Sequence, residues 1–196
     1  MSDVTKRVGI KPAVREELAR LDSDYSSKMI YLGVPELDDV DQIVVSADMK
    51  VGAYTVAASP DVPRVLTVVH TQIGGVTDTL GTITFVGTDY DDQALTEVIT
   101  PVTEATATGL KAFKTVTTAT GAGWVVNSTA DTITIGTGPA LGLPEKMAVS
   151  VTNSLALLAT VPEVISAIGT MADVPNSTIT LTSALNGGTV YVLGYF

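Results

Sequence analysis

Asp131-Thr132-Ile133-Thr134-Ile135 alternates polar and apolar residues with a period of two. Such alternation sends every second side chain to the same face of a strand. Isoleucine then faces a core and threonine faces outward, the mark of a sheet packed on one side and wet on the other. Thr82-Ile83-Thr84-Phe85 and Ser177-Thr178-Ile179-Thr180-Leu181 repeat the pattern. The Thr-Ile-Thr triplets are spaced too unevenly, with too little else in common, to form a true repeat.

Outward from these triplets the same texture extends over most of the chain. Thr and Val together supply 56 of the 196 residues. β-Branched side chains suit a pleated, half-buried surface and lose rotamer freedom in helices. Strands are expected at 42–47, 52–57, 63–71, 80–87, 94–101, 109–118, 123–127, 131–136, 147–152, 177–183 and 188–195. Turn signals separate them, among them Gly74-Gly75, Gly136-Thr137-Gly138-Pro139 and Asn186-Gly187, the last being the strongest hairpin signal. Pro162 to Thr170 reads equally as a helix or a strand. Short strands at this spacing predict an all-β fold, an antiparallel β-sandwich or a jelly-roll-like or barrel domain.

The N-terminal part differs. Residues 1–50 hold 7 of the 11 bases and 10 of the 21 acids, so the rest of the chain is nearly free of charge. This shift predicts an N-terminal arm over 1–40 and a β domain over 41–196. Within the arm, Pro12 suits a first helical turn. Val14, Leu18 and Leu21 follow at i, i+4 and i+7, a single apolar stripe on a short helix over about 12–21. Such a helix is marginal alone and needs a surface to dock on. Pro35 to Asp41 reads as an acidic, solvated linker.

Composition excludes several chemistries. With no cysteine, the chain has no disulfide, thiolate nucleophile or thiolate metal site. A net charge of −10 disfavours nucleic acid and anionic membrane as partners. No run reaches the roughly 18 apolar residues of a membrane-spanning helix, and the first residues lack the apolar core of a secretory signal.

Candidate reactive groups are few. His70 is the one histidine and lies in the predicted strand 63–71. No nucleophile-elbow pattern accompanies it, so it reads as a structural or surface residue. Asp89, Asp91 and Asp92 could hold a hard cation, but their spacing departs from an EF-hand and favours a polar hairpin turn. Glu36, Asp38, Asp39 and Asp41 read as part of the linker. Gly136-Thr137-Gly138 lacks the lysine and helix of a phosphate loop. No catalytic residue, metal ligand or cofactor is expected. Trp124, Phe113, Tyr191, Tyr195 and Phe196 are expected in core or interface packing.

Ser59-Pro60-Asp61-Val62-Pro63-Arg64, the segment Gly81 to Asp89, Glu97, Gly109 to Phe113, and Asp131 to Gly136 running into Leu141-Gly142-Leu143-Pro144 occur in that order. This order resembles small β proteins encoded beside the major capsid protein of tailed bacteriophages, described as head fibre, decoration or cement proteins. The resemblance implies a non-enzymatic virion structural protein, made in the host cytoplasm. It would bind the outer surface of the capsid and stabilise it. Its partners would be the major capsid protein and further copies of itself, as a dimer or trimer. Val14, Leu18, Leu21, Trp124, Tyr195 and Phe196 are then candidate contacts to capsid or sister subunit. Related modules occur in tails and baseplates, so a tail, baseplate or head-completion role stays open. So does a carbohydrate- or receptor-binding head-fibre module.

Overall fold

The computed structural model describes residues 27–146, 155–159, 161–169 and 173–195. The helix expected over 12–21 and the strand expected over 147–152 lie outside the described residues. What is described is almost entirely β, and every strand pairing is antiparallel. The strands are β1 (Ser27–Gly33), β2 (Val44–Asp48), β3 (Ala53–Tyr54), β4 (Arg64–Thr71), β5 (Thr82–Thr88), β6 (Ala94–Ile99) and β7 (Thr106–Phe113). There follow β8 (Thr115–Ala122), β9 (Thr132–Gly142), β10 (Leu155–Leu158), β11 (Val161–Glu163), β12 (Ile165–Ile168), β13 (Thr178–Leu181) and β14 (Val190–Tyr195).

They form three sheets. The central sheet has the order β12-β13-β9-β4-β7, with β2 also paired to β9. A second, here called the threonine sheet, has the order β3-β8-β5-β6. The third, the terminal sheet, has the order β1-β14-β10-β11 and contains the first and last described strands.

The triplets that decide the fold behave as their alternation predicts. Ile83, Ile133 and Ile179 stand second in β5, β9 and β13 and are fully buried. Two cores result. Between the central and threonine sheets, Leu66, Val68, Ile133, Ile135 and Phe113 meet Ile83, Phe85, Leu95 and Val116. Phe85 and Phe113 pack edge to face, ring centroids 6.5 Å apart, a favoured aromatic geometry. The second core lies under the terminal sheet, where Leu32, Ala156, Leu158, Val190 and Val192 meet Leu141, Leu143, Ile165, Ile179 and Leu181.

β9 joins the two cores. One of its edges pairs with β4 from Thr132 to Leu141. The other is shared by β2 at Thr132–Ile135 and by β13 at Ala140–Gly142. Between those partners the backbone of Asp39 and Val40 fills the gap, and Thr137 N–H donates to the Asp39 carbonyl at 2.8 Å. A Cβ on Gly136 would stand 1.8 Å from that carbonyl oxygen. The glycines at 136 and 138, expected to mark a turn, instead let a strand run on under closely approaching chain.

Other elements differ from expectation for identifiable reasons. The stretch expected as one strand over 109–118 is two, and the chain passes at Lys114 from the central to the threonine sheet. Over 123–127 only a single bridge forms, Thr79 to Val125. Asn186-Gly187 does not close a hairpin, because β13 and β14 belong to different sheets; Gly187 N–H donates to the Pro35 carbonyl instead. The ambiguous segment after Pro162 is strand, in β11 and β12. β1 falls within the stretch expected as an arm and pairs with β14 from Ser27 to Gly33.

Candidate functional site

Three features combine several of the described residues: a buried polar network around His70, a cluster of acids around Arg64, and the outer face of the threonine sheet.

His70 lies near the end of β4 and is buried. Its Nδ1 accepts from the Glu104 backbone N–H at 3.0 Å. That assigns the proton to Nε2, which donates to Asp131 Oδ2 at 3.1 Å. Asp131 also accepts from Ile73 N–H at 2.7 Å and Asp78 N–H at 2.8 Å. Asp78 reciprocates, accepting from Asp131 N–H at 3.0 Å and Asn127 N–H at 2.7 Å. Burial works against an ionised Asp131, but the Asp78 and Ile73 amides and the His70 imidazole together hold its carboxyl below the ordinary value. Each polar atom of this network faces backbone or another member of it. Its work is to bind the β4–β5 loop, the β6–β7 loop and the loop before β9 into one unit. The partners of His70 lie 34 and 61 residues away, and no local pattern announces them.

The acidic residues divide by role. Asp89 Oδ1 accepts from the N–H groups of Asp91 and Gln93, both at 2.9 Å, which closes the β5–β6 hairpin. Asp92 pairs with Lys114 at 2.7 Å. Asp38, expected in a solvated linker, instead pairs with the fully buried Arg64. Arg64 also donates to the carbonyls of Gly138 and Glu36 and to Asp61. Glu36, Asp38, Asp39 and Asp61 line a cleft of about 410 Å³ beside this cluster. Among the described residues, no group of three or more His, Cys, Asp or Glu is placed to hold a metal ion.

Glu97 is a buried acid whose environment the sequence does not reveal. Its Oε1 accepts from Leu110 and Lys111 N–H at 2.7 and 3.2 Å, where β7 bulges away from β4. Its Oε2 has no partner, and burial pushes the carboxyl upward against those two amides and Lys111. Gly109 makes the room: a Cβ there would lie 2.6 Å from Oε2.

The outer face of the threonine sheet is of a different kind. From β5 it presents Thr82, Thr84, Val86 and Thr88, and from β6 Ala94, Thr96 and Val98. β8 adds Thr118 and Thr120, which register against Val86 and Thr84. Thr88 and Thr115 share a hydroxyl hydrogen bond of 2.8 Å across the strands. No outward position on β5, β6 or β8 carries a charge, in a chain of net charge −10. Val98 is 57% exposed. Edge strand β6 is guarded by Lys111, whose Nζ donates to the Thr96 carbonyl at 2.9 Å.

Of the interface residues expected from sequence, Val14, Leu18, Leu21 and Phe196 lie outside the described residues. Tyr195 ends β14, with its backbone opposite Ser27. Trp124 is half-buried against the first core, next to Tyr54. Burial lifts the Tyr54 phenol to about 12, and its hydroxyl donates to the Met49 carbonyl at 2.9 Å.

Among the described residues, the fold and faces thus define an all-β, antiparallel protein with two cores and a threonine sheet whose outer face carries no charge. No protein family, curated protein or solved structure matches the chain.

Proposed function

We propose that the protein is a virion structural protein that binds the outer surface of a tailed-phage capsid and stabilises it. The carrying observation is the uncharged, threonine- and valine-covered outer face of the threonine sheet. A hydrated charge costs far more to bury at a protein contact than a threonine hydroxyl, which a partner's polar group can satisfy, and valine gains by leaving water. Soluble surfaces ordinarily intersperse charges of both signs. A broad sheet face without them suits docking onto another protein. Its main strands, β5, β6 and β8, fall within residues 59–144, the stretch that resembles capsid decoration proteins. The His70 network supports the same reading, because its polar groups are spent on holding loops.

The test is co-sedimentation with preformed capsid shells. The wild-type chain is expected to travel with shells. The double variant Val86→Glu, Val98→Glu is expected to lose at least about tenfold in affinity, the effect of about 1.4 kcal/mol. Its thermal midpoint and circular dichroism should stay unchanged. A wild-type chain that stays at the top of the gradient sinks the capsid reading. Undiminished binding by the variant removes this face from it.

A further inference from the structure

The terminal sheet has the opposite problem to the threonine sheet: its outer face is apolar. Alternation sends Ile30, Leu32, Val190, Val192, Ala156 and Leu158 inward to the second core. It sends Met29, Tyr31, Tyr191, Leu193, Leu157 and Pro162 outward. Register arranges the outward set in rows, Tyr31–Tyr191–Leu157–Pro162 and Met29–Leu193. The rings of Tyr31 and Tyr191 touch, centroids 5.4 Å apart. Met29 is 66% and Leu193 45% exposed. A contiguous apolar patch of this kind on a sheet marks a surface built to be covered.

Where the rest of the chain joins this sheet points to the cover. The chain enters β1 at Ser27, opposite Tyr195, and β1 is an edge strand. Residues 1–26 therefore start from the rim of the apolar face. Residues 12–21 carry the Val14, Leu18 and Leu21 stripe, which needs a surface to dock on. Their dimensions suit the face. A ten-residue helix is about 15 Å long; a six-residue strand is about 20 Å long, and four strands span about 14 Å. The five residues 22–26 reach up to about 17 Å when extended, enough to turn the chain back over β1 and β14.

We propose that residues 12–21 dock as a helix across the outer face of the terminal sheet of their own chain, with Val14, Leu18 and Leu21 set on Met29, Tyr31, Tyr191 and Leu193. So docked, the helix adds a third layer over the second core, helix on sheet on sheet. The inference does not depend on the capsid reading, since it concerns how the free chain covers itself.

The absence of cysteine makes cross-linking a clean test. The full-length variant Leu18→Cys, Leu193→Cys is oxidised over a range of dilutions and run without reductant. The expected product is an intramolecular disulfide, a faster-migrating monomer whose yield does not change with dilution. Glu16 lies on the opposite side of the helix from the stripe, at 100° per residue, so Glu16→Cys with Leu193→Cys should give several-fold less. A cross-link found only between chains and growing with concentration overturns the proposal in favour of a second copy on this face. Equal yields from Leu18 and Glu16 overturn it too. A second variant guards against a misfolded pair. Val14→Glu, Leu18→Glu, Leu21→Glu in the full chain should raise the fluorescence of a dye that reports exposed apolar surface several-fold. Unchanged fluorescence contradicts the docked helix.

Discussion

β4 carries a buried polar side chain near each end, and the two are held in different ways. At its start, Arg64 donates to the Gly138 and Glu36 carbonyls at 2.8 and 3.2 Å and to the carboxylates of Asp61 and Asp38. Its guanidinium is fully buried, but Asp38 is 42% exposed. Near its other end, His70 meets Asp131, and neither side chain is exposed at all. Both clusters join distant segments to the central sheet. The Arg64 cluster opens onto water through its acids. The side chains of the Asp131 cluster are closed off from water, and two of its donors, the Asp78 amide and the His70 imidazole, are buried with no other partner. The cost of breaking each should follow from what is left behind, not from the formal charges.

The largest effect is therefore expected at Asp131. Asp131→Ala strands the Asp78 N–H and the His70 Nε2 proton in the interior, while the Ile73 N–H, on an exposed residue, can turn to water. Each lost bond to a charged acceptor is worth roughly 1.5–3 kcal/mol, so a loss of about 4 kcal/mol is expected in urea unfolding. The wild-type chain should show the matching pH dependence. Because the folded Asp131 carboxyl lies below its ordinary value of 3.8, its contribution is present above that pH. It fades as pH falls through the folded value. Asp131→Ala should flatten this part of the acid limb. A loss below about 1 kcal/mol would mean that water replaces the carboxylate, and the closed description of this cluster would fail.

An intermediate effect is expected at Arg64. Arg64→Met keeps the stem volume and leaves Asp38 and Asp61 free to turn toward solvent. The Gly138 and Glu36 carbonyls each lose a donor. A loss of about 2 kcal/mol follows, smaller than at Asp131 although the deleted group is a full cation. A larger loss at Arg64 than at Asp131 would reverse the ranking and show that rim acids are less able to relax than their exposure suggests.

The sequence makes one kind of strand plain and conceals another. Where one face is wet, as at Thr82-Ile83-Thr84 and Thr132-Ile133-Thr134, alternation marks the strand and names the buried residue. β1 and β10 read Met29-Ile30-Tyr31-Leu32 and Leu155-Ala156-Leu157-Leu158, apolar at every position. Their outer face is as apolar as their inner one, so the period-two signal vanishes and β1 merges with the charged N-terminal stretch. Gly136 shows a second limit. Glycine in a sequence suggests a turn, but here it answers to Asp39, nearly a hundred positions earlier, pressing on a continuous strand. The His70 cluster shows a third, since Asp131 and Glu104 are brought to His70 by strand pairing. The charge-free threonine face is the site most legible in advance. It needs only local alternation and the count of charges.

The smallest effect is expected where the ion pair looks strongest on paper, at Asp38. Burial raises its carboxyl above the ordinary 3.8, and the attraction of Arg64 offsets this only in part. A carboxyl raised on folding favours the folded state below its unfolded value, and that advantage is lost as pH rises through the folded value. At neutral pH the ionised Asp38 therefore adds no net stability of its own. Asp38→Asn keeps an oxygen for the Arg64 guanidinium and removes the desolvated charge. Its unfolding free energy at pH 7 should stay within about 0.5 kcal/mol of wild type, because the desolvation of the carboxylate offsets its attraction to Arg64. The stability difference between the two chains should move by a similarly small amount as pH falls from 7 to 3. A loss comparable to that of Arg64→Met would show that Asp38 is as fully enclosed as Asp131, and the contrast between the two ends of β4 would disappear.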